Sequence, residues 1–446
     1  MQVGTFCSGK TYTAIALAAF VLFSCATTEH FARVDDSLNR EKYSESIDVL
    51  ESLKSRIYNP SRDTVLYYLD RGMLSHYAGE YEESSELLHN GERAIEAAFT
   101  KSITRGAGSF MVNDNVLEYA GEDYEDIYTN AFNALNYYHR GDIDGAMVEI
   151  RRMNIKLTAL ETKYDAARTE LQTQALAEGV SNSDIPSNPN APSKFSDSAL
   201  ARYLGMLFYR QDGQSDSARI DSENLLIAFA NAPDVYRHPV PASIPDELEI
   251  PAEQARLNII AFSGLSPVKQ SNTMRIPLSR ERYAKISLPE MVSRPSIVDH
   301  IEVRFDNGIN FRLELLEDID AIAQDTFKSR RGLLYTKSVV RAISKAAASS
   351  VLDAASDRTG GILGLALGIA SLGSQVYAEA SEQADLRVSR YFPARAWVGG
   401  INVDPGRYSF QVNFYGRSGG PLTTQYFEDL TISPLTLNLV EAFALR

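Results

Sequence analysis

From residue 29 to residue 229, apolar side chains recur at helical spacing, as in Leu66, Leu69, Met73 and Leu74 and again in Leu87 and Leu88. Four stretches align on one turn: Arg40-Glu41-Lys42-Tyr43-Ser44-Glu45-Ser46, Ala78 to Ser84, Arg140 to Ala146, and Asp212 to Ala218. The turn residue is glycine in the last three (Gly79, Gly141, Gly213) and Glu41 in the first. Five positions on, a small residue stands in all four: Ser46, Ser84, Ala146 and Ala218. The pattern predicts pairs of antiparallel helices, each closed by a tight turn, with the small residue letting the pair approach closely. From Arg256 the period changes to two. Leu257–Phe262, Ile301–Phe305, Ile309–Leu315, Ala396–Val398, Tyr408–Phe414, Thr424–Phe427 and Leu435–Leu439 read as strands, and Asp306-Asn307-Gly308 as a hairpin turn.

The helical units resemble tetratricopeptide repeats. Gly72 and Ala134 fit the small position of the first helix of a unit, while Met206 departs from it beside Gly205. The distance from Gly79 to Gly141 exceeds the roughly 34 residues of one repeat, which places an insertion at residues 100–126. The stretch from Gly121 to Met153 is aromatic-rich, with Asn130, Asn133 and Asn136 stepping along one helix. It has two readings: a packed repeat helix, or a concave surface of Tyr124, Tyr128, Asn130, Asn133 and Tyr137 that binds a partner's peptide.

The expected fold class is α+β multidomain. A helical array (25–231) is joined by a proline-rich linker (232–254) to a small antiparallel β-sandwich-like domain (255–446). A helical hairpin at 317–384 interrupts that domain. Gly360, Gly364 and Gly368 form a GxxxG ladder, and residues 359–378 carry no charge. The ladder can serve a close-packed hairpin, a membrane-inserting or oligomerising zipper, or a loop.

The first 24 residues read as a signal peptide: Lys10 is the only charge, an apolar run follows, and the stretch ends in Leu22-Phe23-Ser24-Cys25. This resembles the bacterial lipobox, which implies cleavage before Cys25 and acylation of its thiol and new amino terminus. Several acyl chains make a stable anchor. Of 446 residues, 58 are acidic and 44 basic, a net charge of −14, which disfavours nucleic acid as a partner. The excess is local: residues 26–130 hold 21 acidic against 10 basic side chains. Two cysteines exclude a disulfide scaffold and the usual cysteine-rich metal sites.

Catalytic motifs fail on context. Gly4 to Thr11 matches a P-loop, but only three residues precede it, too few for the strand such a loop requires. Ser266-Pro267-Val268-Lys269 matches SxxK without a KTG partner, and Gly416 to Gly420 matches GxSxG with no histidine after it. The six histidines (30, 76, 89, 139, 238, 300) form no HxxxH pair. Arg387, Arg395 and Trp397, near Asp385 and Arg390, read either as a carboxylate- or glycan-binding cluster or as structural ion pairs.

The lipobox, the Gly121-Glu122-Asp123-Tyr124 helix start with its Asn-Ala-Leu-Asn-Tyr-Tyr run, and Ala384-Asp385-Leu386-Arg387 followed by Phe392 to Trp397 together resemble a family of envelope lipoproteins. These have an N-terminal repeat-like helical part and a β-rich C-terminal part. The resemblance brings no known activity, and the repeat class implies protein–protein scaffolding; the expectation is a non-enzymatic scaffold with no cofactor or metal, on the outer membrane and facing the periplasm. It would bind envelope proteins through its repeats and the membrane through its anchor, with a homo-oligomer as a further option. The alternatives are a membrane-inserting or oligomerising glycine zipper and a cell-wall glycan-binding protein or enzyme.

Overall fold

The computed structural model describes residues 29–104, 114–160, 162–177, 193–277, 283–358 and 383–446. Cys25 and the Gly360, Gly364, Gly368 ladder lie outside them. The helices are α1 (29–39), α2 (Tyr43–Ile57), α3 (Thr64–Tyr77), α4 (Tyr81–Thr104), α5 (Asp123–His139) and α6 (Ile143–Leu160). They continue as α7 (Asp165–Ala177), α8 (Ala199–Gln211), α9 (Ser215–Asn231) and α10 (Ile319–Arg358).

The four aligned turns share one geometry. Glu41, Gly79, Gly141 and Gly213 have φ of 61°, 76°, 76° and 75°. After each, an N–H returns to the carbonyl five residues back: Lys42 to Ser37 (3.0 Å), Glu80 to Ser75, Asp142 to Tyr137 and Gln214 to Tyr209 (each 2.9 Å). This satisfies the orphan carbonyls of the preceding helix. The small residues Ser46, Ser84, Ala146 and Ala218 are all fully buried. Glu41 bears the left-handed backbone without being glycine, at a cost of about 1 kcal/mol. Its carboxylate meets the Thr423 hydroxyl of the sheet domain. Despite the insertion, α4 packs directly on α5, and α6 on α8.

The strands are β1 (Ala255–Leu265), β2 (Val268–Pro277), β3 (Tyr283–Val292), β4 (Val298–Phe305), β5 (Asn310–Asp318), β6 (Pro393–Val403), β7 (Gly406–Gly416), β8 (Pro421–Ile432) and β9 (Asn438–Ala444). Seven of them form one sheet in the order β8-β7-β4-β5-β6-β1-β9. The sandwich expectation is corrected: the sheet is single and barrel-like. Its β1–β9 pair is parallel and the other neighbours antiparallel. The side-chain amide of Gln425 on β8 helps draw the ends together. It donates to the Phe443 carbonyl and accepts from the Phe443 N–H, both at 3.0 Å, as a strand backbone would. The Asn307-Gly308 hairpin forms as expected, with Gly308 at φ 91°. The β2–β3 hairpin was not foreseen as a pair; it packs on α10 through Ile286, Leu288, Tyr335 and Val339. Of the expected helical hairpin at 317–384, Glu317 and Asp318 belong instead to β5, and α10 is the described arm.

Every residue of β1 is buried because both faces are covered. Ile260 and Phe262 join the helices in one continuous core, while Leu257, Ile259 and Ala261 point into the barrel. Each large apolar side chain so buried contributes roughly 1.5–3 kcal/mol. The proline-rich stretch is tied to both halves, with Tyr236, Ile244 and Glu247 buried.

Two glycines separate conformational from steric demands. A Cβ at Gly141 would meet nothing within 4 Å, whereas one at Gly205 would lie 2.2 Å from the Asp221 carboxylate, itself bonded to Arg202 at 3.0 Å. We expect Gly141→Ala to cost about 1 kcal/mol and Gly205→Ala roughly 2–3 kcal/mol, both measured by urea denaturation.

Candidate functional site: a helical groove filled by its own chain

Helix α5 starts where Gly121, at φ 75°, brings the backbone against Ile95 and the Glu125 carboxylate accepts the Glu122 N–H at 2.8 Å. From there it is buried almost continuously to Asn136. The expected partner-binding surface is therefore corrected: Tyr124, Tyr128, Asn130 and Asn133 are fully buried, and only Tyr137 retains partial exposure, beneath the Arg140 guanidinium at 5.4 Å. Tyr128 donates to Glu317, whose carboxylate also accepts from Ser198 (2.6 Å), Tyr236 (2.8 Å) and the Leu200 N–H (3.1 Å). Asn130 donates to Glu149 at 2.6 Å and Glu92 at 3.2 Å. Asn133 is enclosed, and its amide bonds no group among the described residues.

Beside α5, against α3 and the Tyr124 end of that expected surface, lie residues 385–392 of this same chain. Its backbone is gripped group by group. The Ser389 N–H donates to Glu125 (2.5 Å) and the Arg390 N–H to Asp70 (2.7 Å). The Arg387 carbonyl accepts from Lys269 (2.8 Å) and the Tyr391 carbonyl from the Tyr77 hydroxyl (2.8 Å). The Phe392 carbonyl accepts from the Ser266 N–H (2.8 Å), and Arg294 reaches the Arg390 carbonyl. Buried backbone groups must find partners, and here they find them on helices and on the β1–β2 connection.

These contacts set the local electrostatics. Burial pushes the Asp70 carboxyl up to about 6, against the hydrogen bonds of Arg390, Tyr58 and Ser389. Burial, with the charge of Glu122 second, lifts Glu125 to about 7. Glu122 itself is held by Lys269 and by Arg330 at 3.0 Å.

Arg387, Arg395 and Trp397 do not converge, which corrects the glycan-binding cluster. Arg387 is spent on Asp385 at 2.8 Å and Asp63 at 3.0 Å, as the structural reading held. Arg395 faces Asp318 at 3.7 Å, and the Trp397 indole lies in the barrel core with its N–H on Ser263 at 2.9 Å. Gly416 to Gly420 is the β7–β8 loop, and the SxxK lysine is the one bonded to Glu122.

Sequence reasoning missed a polar cluster. On β9 the two oxygens of Glu441 meet different histidines: Oε2 lies 2.9 Å from His76 Nε2 of α3, and Oε1 lies 2.8 Å from His139 Nε2 of α5. No motif spacing could have signalled residues so far apart. Among the described residues no group of three or more His, Cys, Asp or Glu side chains is disposed to hold a metal ion, and no helix is long and apolar enough to cross a membrane.

Compared with protein families, curated proteins and solved structures, the chain matches none.

The carboxyls predict a pH profile. Asp70 and Glu125 are raised, so the folded chain keeps their protons where the unfolded chain has lost them. Their contribution is complete below about pH 4 and is lost as pH rises to about 7. We expect the urea midpoint to fall across that window, and the slope to flatten in the Asp70→Asn/Glu125→Gln double variant.

Proposed function

We propose that the protein is a lipid-anchored envelope scaffold whose helical pairs act as tetratricopeptide-like repeats and engage a partner protein through their outer helices. The carrying observation is a repeated register. Val148 and Ile155 on α6 stand seven and fourteen residues after the turn glycine, as do Ile220 and Ile227 on α9. They are 46%, 69%, 49% and 50% exposed. The same positions in the first two units are Asp48, Ser55, Glu86 and Arg93. Exposed apolar pairs set at equal places on two helices suit the docking of a partner. The groove is not the site in this reading, because residues 385–392 occupy it.

The partner's chemistry follows from the neighbouring surface. Helix α4 exposes Glu82, Glu83, Glu86 and Glu96, so the fitting partner presents an apolar face with a basic flank. The lipobox supports the anchor: three residues separate Cys25 from Glu29, the first described residue of α1, a reach of about 14 Å at most. That tether holds the first units near the membrane, where their acidity turns them from anionic headgroups.

A photoreactive residue at position 155 or 227 tests this in envelope preparations. We expect one crosslinked partner, lost in the Ile155→Lys/Ile227→Lys double variant and weakened by Glu82→Lys/Glu86→Lys, with thermal midpoints unchanged. Crosslinking only to a second copy of this chain, or recovery unaffected by the double variant, overturns the proposal.

A further inference from the structure

The Glu441 cluster joins the helical array to the last strand, and its hydrogen bonds form a directed chain. The Ser84 hydroxyl donates to the Gly72 carbonyl at 2.8 Å, across the close approach of α3 and α4. With its proton so placed, the Ser84 oxygen accepts from the Asn136 amide Nδ2 at 2.8 Å. That orients the amide, so Asn136 Oδ1 faces His76 Nδ1 at 2.7 Å. A carbonyl oxygen only accepts, and therefore Nδ1 carries a proton. The other ring nitrogen faces the Glu441 carboxylate, which also only accepts. With the amide in this orientation, both ring nitrogens carry protons. We propose that His76 is a buried imidazolium which, with Glu441, forms a proton-dependent latch between the helices and strand β9.

The surroundings suit that charge state. Burial alone would raise Glu441, yet the two histidines hold its carboxyl near 2, so it is an anion throughout the neutral range. The other titratable groups facing it are Tyr77 of α3, Tyr81 of α4 and Tyr138 of α5, with Tyr43 of α2 against Tyr77 and Phe443. Burial raises all four hydroxyls, so they stay neutral. The imidazoles of His76 and His139 are the remaining ionisable rings at the cluster. His139 stacks on Tyr81 at 4.2 Å and binds the second Glu441 oxygen. His76 is fully buried, enclosed by Phe132 (5.0 Å) and Phe443 (5.7 Å).

The second state follows from the same chain. When Nδ1 loses its proton, the Asn136 amide turns over to donate to it. The Ser84 hydroxyl then leaves the Gly72 carbonyl for Asn136 Oδ1. The ion pair becomes a neutral hydrogen bond beside a buried anion, and the hold on β9 slackens.

Nitrogen-15 NMR of the histidine rings in the mature chain tests the charge directly. At pH 6 we expect both His76 ring nitrogens protonated. As pH rises towards 9, the Nδ1 proton is lost, and the protection of the β9 amides Ala442 and Phe443, taken relative to the base-catalysed intrinsic exchange rate, falls about tenfold, the loss of one charge-assisted bond. In Glu441→Gln that protection becomes independent of pH, while His139→Gln keeps the His76 transition. A neutral His76 ring with bare Nδ1 at pH 6, or β9 exchange that ignores its titration, overturns the proposal. The ring spectrum needs no variant, so a substitution that fails to fold leaves the test intact.

Discussion

Helix α5 has no free face, and the rest of the molecule is arranged to supply partners for its polar side chains. It packs on α3 and α4 on one side and on α6 and α8 on the other. Residues 385–392, β1 and the start of α10 cover what remains. Buried polar groups cost several kcal/mol unless they are bonded. Tyr128 therefore needs Glu317, Asn130 needs Glu149, and Glu125 needs the Ser389 N–H. Helical array and barrel are bound together by these requirements as much as by their shared apolar core.

The arrangement changes what a repeat-like array means for function. Such arrays usually present a concave surface to a partner. Here α3 and α5 are spent internally on residues 385–392 of the same chain, with carboxylates and hydroxyls matched to its backbone groups. What remains free is the outer surface, where charged residues on the first two units give way to apolar ones on the last two. The proposed scaffold role rests on that change of chemistry at constant register.

Buried carboxylates recur at each junction: Asp70 and Glu125 on the captured segment, Glu317 between α5, α8 and β5, Glu247 with Arg210 and Arg256, and Glu441 under two histidines. Their partners differ, and for Asp70, Glu125, Glu317 and Glu441 so do the directions in which the acidities move. Where hydrogen-bond donors on neutral groups dominate, burial wins and the carboxyl rises. Where two imidazoles converge, attraction wins and it falls.

Local physics was legible in the sequence. The four turns, the buried small residues after them, the helix start at Gly121 and the Asn307-Gly308 hairpin all follow from backbone preference and periodicity, which act within a few residues. Arg387 was legible as a structural ion pair, although Asp63 could not be named. The pairing of β1 with β9 was hidden, because it joins strands nearly the whole domain apart and alternation says nothing about which strands meet. The same limit concealed the filled groove: Tyr124 and Asn133 look alike on a packed helix and on a binding surface until one knows what lies over them. His76, Asn136 and Glu441 come from three distant stretches. The sequence by itself determined the elements and where they turn. Tertiary structure alone decided which polar groups would be buried together, because the cost of burial is settled only by the neighbours that folding brings.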